Sequence, residues 1–503
     1  MTDTAAPAGP KLTASKPVGA APIPPRGSGR TAWPGPSGAA SSTVLIGAGA
    51  AGLAAAVAAP DARPGIGALL IGLAIVAAVL PAGLRRGGPP SVERFLWTAA
   101  TLALLGVGVL RAAEWLFAVC LLAALVTTAL ALTRARTVAG IQAALVCLPL
   151  ACLRAVPWAG RGLAAVRARL GSAPGRLARS VAVTALLVVV FGALFAGADA
   201  AFANLVGTVV PTVDGGSVIR RAVLFAVVAV ATSGAAFLLT APPALDRPAA
   251  ARTPVRRFEW TLPLGVLLIM FGAFVLVQLT VLFGGREYMV RTSGLTAAAY
   301  ARQGFWQLCA VTVLALVVIG VAARRAPRAT RADRIWLRAL LGGLAGLTLV
   351  IVASALTRLW AYQESFGYSV LRLLVGAGEL WLGAVYLMVI AAGVRLRAGW
   401  LPRAVLGSAV GALLLLAVVN PEGYVAERNI ARYEHTGKID LDYLATLSAD
   451  ATPELARLPD PARSCVLVRV RARLTAQDPW HTWNLARATA RDLITDAYLR
   501  PCR

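Results

Sequence analysis

The chain has 503 residues, of which 58% are hydrophobic and only 14% charged, and its mean hydropathy is +0.72. That balance excludes an ordinary soluble globular protein. Lys and Arg total 49 against 23 Asp and Glu, a net charge of +26, yet residues 420–503 hold 12 basic and 11 acidic side chains, so the excess sits in short loops between apolar runs. This is the positive-inside pattern of a polytopic membrane protein, and it argues against nucleic acid as the partner of the basic charge.

Residues 1–43 are rich in Pro, Gly, Ala and Ser and include Lys11, Lys16, Arg26 and Arg30. Too few large apolar side chains are present to build a core, so a disordered cytoplasmic tail is expected. Apolar runs of roughly membrane-spanning length follow near 66–84, 95–110, 113–132, 181–203, 222–241, 259–283, 305–323, 336–359, 370–394 and 404–419, with a shorter one at 44–59. The run at 44–59 has the length of a signal-peptide core, but the long leader before it favours an uncleaved span. Placing the loops with Arg85, Arg86 and Arg94, with Arg134 and Arg136, with Arg247 to Arg257, with Arg324 to Arg334 and with Arg395 to Arg403 in the cytoplasm gives about eleven spans. The N-terminus is then inside and the C-terminus outside. The fold class expected is all-α, a polytopic helical bundle.

Two stretches of this reading need separate treatment. Gly47, Gly49 and Gly52 have the GxGxxG spacing of a dinucleotide fingerprint, which requires a βαβ unit and an acid on the second strand to hold the ribose. The matching stretch near Ala68 to Val76 has no acid and continues as an apolar span, so the glycines are read as close-packing positions between membrane helices. The run Val138 to Cys152 is expected to be partial or re-entrant. Were it to cross, the following basic loop, 153–180, with Arg154, Arg161, Arg167, Arg169, Arg176 and Arg179, would face outward. That loop is expected in the cytoplasm, where Leu163, Val166 and Leu170 at helical spacing fit either a helix on anionic inner-leaflet lipids or a solvated linker.

Histidine is confined to His435 and His481, both beyond the bundle. This removes an intramembrane Ser–His pair, an HExxH zinc site and paired His ligands for haem, and no cofactor is expected. Charged side chains inside spans are costly and mark functional candidates. Glu379 lies mid-span, with Arg372 seven residues earlier on the same helical face, where it could compensate the charge or share a polar cavity. The alternative is a carboxyl that fixes helix packing. Gln278, Asp199 and Asn204 are weaker candidates. Two outer loops add Arg286, Glu287, Arg302, Arg358 and Glu364, which form either a polar network around the outer ends of several spans or simple interfacial anchors.

After Asn420 the hydropathy falls. Pro421 at a first helical position and the breaker Gly437 delimit one helix. Short helices near 440–447 and 451–458, a stretch near 465–474 and a last helix opened by Asp478 and Pro479 are expected to follow, giving a small helical extracytoplasmic domain over 420–503. Cys120, Cys147, Cys152 and Cys309 fall in or beside apolar runs, as small hydrophobes do. Cys465 and Cys502 are either a disulfide tethering the C-terminus or two free thiols.

Gly-Gly-Arg-Glu-Tyr at 284–288, Thr-Ser-Gly-Leu-Thr at 292–296, Tyr300-Ala-Arg-Gln-Gly-Phe, Arg358-Leu-x-x-Tyr362, Asn420-Pro-Glu-Gly-Tyr and Gly437-Lys-Ile-Asp-Leu-Asp-Tyr-Leu resemble a bacterial membrane family catalogued as domain of unknown function 4153 or 4173. The likeness covers roughly residues 180–500. It implies a polytopic membrane protein with a polar C-terminal segment and carries no catalytic residue over. Lysine occurs only at Lys11, Lys16 and Lys438 while Ala, Gly, Val and Arg abound, the residues of GC-rich codons, which points to a bacterial plasma membrane. Three functions remain open. One is an envelope scaffold or sensor whose outer loops and 420–503 domain bind a protein partner or ligand. The second is a permease with Glu379 and Arg372 on a polar path. The third is an enzyme acting on a lipid-linked substrate through Glu287 or Glu364.

Overall fold

The computed structural model describes Trp33 and residues 35–59, 63–84, 91–170, 215–246, 256–283, 305–396, 398–474, 477–495 and 499, with isolated positions between 180 and 199. Among the described residues every regular element is helical. The bundle comprises α1 (Ser42–Ala58), α2 (Ile66–Leu84), α3 (Val92–Leu110), α4 (Glu114–Thr133), α5 (Val138–Leu170), α6 (Gly215–Thr240), α7 (Arg257–Phe283), α8 (Phe305–Arg325), α9 (Arg331–Phe366), α10 (Val370–Arg395) and α11 (Leu401–Val419). Ten of them, α2 to α11, are long and apolar enough to cross a membrane. The protein is an all-α, multi-pass membrane protein. The run expected at 181–203 lies, apart from isolated positions, outside the described residues.

The helices form two packed groups. In the first, α1 lies between α2 and α6. A Cβ on Gly47 would stand 2.9 Å from the Ala78 Cβ, and one on Gly52 would stand 2.8 Å from the Phe225 carbonyl oxygen. Gly47 and Gly52 therefore admit neighbouring helices, whereas a Cβ on Gly49 would meet nothing within 4 Å, and the stretch itself is helical from Ser42. In the second group α9 packs on α7, α8 and α10 around Leu264, Phe271, Leu344, Ile351 and Tyr386. Val410 and Ala417 of α11 join Leu104 of α3 and Leu116 of α4, closing the two groups together.

Arginines gather at one end of the bundle, the basic end, and finish helices there. Arg403 reaches Glu93 at 2.6 Å and donates to the Arg134 and Ala135 carbonyls at the end of α4, where a cation opposes the helix dipole. Arg257 pairs with Asp333 at 2.7 Å, inside the Thr330/Asp333 capping box that opens α9.

The course of α5 departs from a simple span. It is one helix of 33 residues with Pro149 and Pro157 inside it, so residues 153–170 are helix rather than loop. Its entry is held at the basic end, where Asp246 accepts from the Arg136 and Thr137 backbone N–H groups at 2.9 and 3.0 Å. A crossing helix would carry Trp158 about 30 Å along the axis to the opposite end. Instead Trp158 donates to the Gly38 carbonyl at 2.9 Å, just before α1, and stacks edge-on against Phe237 near the end of α6. Arg154 donates to the Trp33 carbonyl at 2.8 Å and covers its ring, while Trp33 donates to the Ala241 carbonyl. All of these partners belong to the basic end, so α5 runs along that end. The same contacts correct the expected tail boundary. Trp33 and Ala40 are buried against the bundle, while residues 1–32 lie outside the described residues.

At the other end the C-terminal segment folds into α12 (Pro421–Thr436), α13 (Leu441–Thr446), α14 (Thr452–Leu455), α15 (Ala462–Arg473) and α16 (Leu485–Thr495), with short 3-10 turns at Ala449–Ala451 and Trp480–Thr482. Helix α12 ends at Gly437, whose φ of 66° suits a residue without a Cβ. The last helix begins at Leu485, later than expected, because Asn484 rather than Asp478 accepts from the Arg487 N–H as its cap. The core of this domain, including Val425, Leu444, Leu455 and Leu467, also takes in Tyr368, Val370 and Leu373 from the start of α10 and the turn before it.

Candidate functional site: a buried carboxyl and a docked C-terminal domain

Helix α10 places Glu379 ten residues along its length, where it is 3% exposed. The Thr312 hydroxyl of α8 lies 3.2 and 3.4 Å from its two carboxyl oxygens. Tyr386, seven residues further on the same face of α10 and fully buried, donates its hydroxyl to the Thr312 carbonyl. Thr348 of α9, also fully buried, bonds back to the Leu344 carbonyl at 2.7 Å. Three helices thus hold a polar seam inside an apolar core, and no ion pair to Glu379 occurs among the described residues.

Arg372 shares the helical face of Glu379 but not its surroundings. Seven residues of rise separate the two by about 10 Å, and the guanidinium turns to the helix start, donating to the Gly367 carbonyl at 2.6 Å and lying 4.5 Å over the Tyr362 ring. It finishes the end of α9 instead of compensating the carboxyl. Arg358 donates to Gln278 Oε1 at 2.8 Å, tying α9 to α7, and Ser354 donates to the same oxygen at 3.3 Å. Glu364 is exposed, and its backbone carbonyl accepts from Arg432 at 3.2 Å. Arg286, Glu287, Arg302 and Asn204 lie outside the described residues. His481 is buried and packs edge-on against Trp480.

Sequence reasoning missed the strongest polar constellation, the joint between the C-terminal domain and the bundle. Asp450, 3% exposed, accepts from the Ala112 and Ala113 N–H groups at 2.8 Å each, capping the start of α4 from more than 300 residues away. Asn484, fully buried, donates to the Gly108 and Arg111 carbonyls at 2.8 Å and so finishes α3. Glu422 accepts from the Trp115 indole at 2.9 Å. Arg487 donates to the Pro64 carbonyl at 2.8 Å, and Asp478 pairs with Arg487 at 2.7 Å and with Arg491 at 2.9 Å. Burial pushes the Asp450 carboxyl above its ordinary range, against the Ala113 N–H, Ser448 and Arg111, which favour its charge. Burial acts the same way on Asp478, but Arg487 and Arg491 outweigh it and hold that carboxyl below the ordinary range. The only visible signal was residue type, a polar residue just before a helix, and nothing in the sequence named its distant partner.

Cys465 is disulfide-bonded, and Cys502 lies outside the described residues. No group of three or more His, Cys, Asp or Glu side chains suited to a metal occurs among the described residues. The basic end also holds a cavity of about 580 Å³ between α5 and α8 to α11. Neither Glu379 nor Arg372 lines it.

A family model described as Domain of unknown function (DUF4153) matches residues 99–458. The match starts well before the region of resemblance seen in the sequence and takes in α3 to α5, while leaving out α15 and α16. No curated protein and no solved structure matches the chain.

Proposed function

Because the chain belongs to the DUF4153 family, which is described as a domain of unknown function, its role must come from its geometry, and we propose that it is an envelope scaffold or sensor whose outward domain, residues 420–503, presents a platform to a protein partner or ligand. The carrying observation is the joint itself. Asp450, Asn484, Arg487 and Glu422 are all buried and bind backbone or indole groups of the bundle. A domain held by such groups is fixed in orientation, because separating it strands buried polar atoms, and a load or ligand on it acts directly on the ends of α2, α3 and α4. The positive-inside rule puts the basic end in the cytoplasm and the platform outside, in a bacterial plasma membrane. The exposed Arg161, Arg167 and Arg169 of α5 then face anionic inner-leaflet lipids.

The permease reading needs a polar opening at Glu379, and the enzyme reading needs an acid-lined outer cleft. The packing around Glu379 and the exposed position of Glu364 favour neither. The test is site-specific photocrosslinking in intact cells from exposed platform positions such as Arg457 and Asp442. A discrete adduct, lost when Asp478→Asn loosens the platform, is the expected result. Absence of any adduct, together with loss of complementation by Glu379→Gln in a deletion strain, would overturn it in favour of a path through the bundle.

A further inference from the structure

At the basic end α8, α9, α10 and α11 diverge, and the first turn of α5 crosses the gap, leaving a groove of about 580 Å³, a size typical of small-ligand sites. Its walls are aliphatic, from residues such as Ile141, Ile319, Leu341, Val389 and Leu406. Three glycines face it, Gly320, Gly342 and Gly393, and a Cβ on any of them would meet no atom within 4 Å. Among the described residues the polar side chains in its lining are Gln142, Arg328 and Arg338, and none is acidic. Arg338 stands two turns inside the long apolar helix α9, is exposed, and makes no hydrogen bond or ion pair with a described residue. Arg328 spends one nitrogen on the Ala323 carbonyl at 2.7 Å and keeps its other donors.

An unpaired guanidinium at that depth is costly without an anion or water to receive it, and a guanidinium fork matches phosphate oxygens. We propose that this groove binds one anionic phospholipid of the leaflet at the basic end, acyl chain along the aliphatic wall and phosphate between Arg328 and Arg338. Charge decides the occupant. A purely apolar helix or molecule would leave both guanidinium groups unmatched, and a zwitterionic headgroup would bring an ammonium for which no acid lines the groove. The inference stands apart from the platform reading, since it concerns the opposite end of the bundle.

The full chain, purified in mild detergent and exposed to phosphatidylglycerol or phosphatidylcholine, is followed by native mass spectrometry. Wild-type protein should retain phosphatidylglycerol in preference to phosphatidylcholine. Arg328→Gln/Arg338→Gln should lower phosphatidylglycerol retention on the order of tenfold, whereas Arg325→Gln, an exposed charge outside the groove, should leave it unchanged. Gly342→Leu, which enters open space, should displace the lipid while keeping both arginines and the unfolding midpoint. Equal retention of the two lipids by wild-type protein, or undiminished phosphatidylglycerol in both the double arginine variant and Gly342→Leu, would overturn the proposal and leave the groove to an apolar occupant such as another segment of the chain.

Discussion

Glu379 is held by two side chains of α8, the Thr312 hydroxyl and the Cys309 thiol. The Thr312 hydroxyl shares its one proton between the Cys309 carbonyl at 2.7 Å and the Glu379 oxygens, so Thr312→Val removes one of the two partners of a buried carboxyl, a loss of about 1–3 kcal/mol. The unfolding midpoint in detergent should fall by several degrees, while Glu379→Gln, which keeps the shape and an oxygen to accept from Thr312, should stay within about 1 kcal/mol of wild type. A Thr312→Val midpoint equal to wild type would remove Thr312 as the group that fixes this carboxyl. At the joint, two aspartates titrate with opposite sign. Asp478 is held below the ordinary carboxylate range by its arginines, so its contribution is present above that range and is lost as the pH falls through the depressed value. Asp450 is pushed up by burial, so its contribution is full below the ordinary range and declines as the pH rises through the raised value. At neutral pH Asp478→Asn should therefore loosen the platform by about 3 kcal/mol, read as protease cleavage within 420–503. Asp450→Asn, which keeps an acceptor for the Ala112 or Ala113 N–H, should cost less. In acid the difference between the two variants should shrink, and a difference independent of pH would contradict the sign worked out for Asp478.

Helix α5 shows what hydropathy can and cannot decide about an element. Its length and apolar content match a spanning helix, while its arginines and its contacts at Asp246, Gly38 and Trp33 all belong to one end. With the four free cysteines replaced by alanine, single cysteines at the exposed positions Ala139 and Arg167 should react with a membrane-impermeant maleimide from the same side. Labelling from opposite sides would make α5 a crossing helix. The charge pattern made this legible in the sequence, since a crossing would have carried the arginines after Cys152 to the wrong side. The apolar spans were legible for the same physical reason, because a membrane helix must be long and continuously apolar. Pro421 and Gly437 were legible because each meets a local backbone requirement. Arg372 was not, since the periodicity gives its face correctly and is silent on the neighbours at that height. The roles of Asp450 and Asn484 were hidden because a cap supplied from several hundred residues away leaves no local pattern.

For the whole molecule, the contacts of Trp33 and Asn484 are the decisive constraint. Trp33 is anchored beside Ala241 at the basic end, and Asn484 is anchored on Gly108 and Arg111 at the other. Trp33 and Asn484 therefore lie at opposite ends of the bundle, and under the proposed topology the arginine-rich end, with the N-terminus, faces the cytoplasm while the C-terminus lies outside. A fluorescent protein fused before Met1 should mature and fluoresce, and alkaline phosphatase fused after Arg503 should be active, whereas the exchanged fusions should both be silent. The two ways of failing are distinct. Reporters that place both termini on one side would contradict the separation of Trp33 from Asn484, and with it the placement of the platform on the bundle. Reporters that place them on opposite sides in the reverse sense would leave every contact intact and contradict only the assignment of the arginine-rich end, which rests on charge and would then require the groove lipid to come from the outer leaflet.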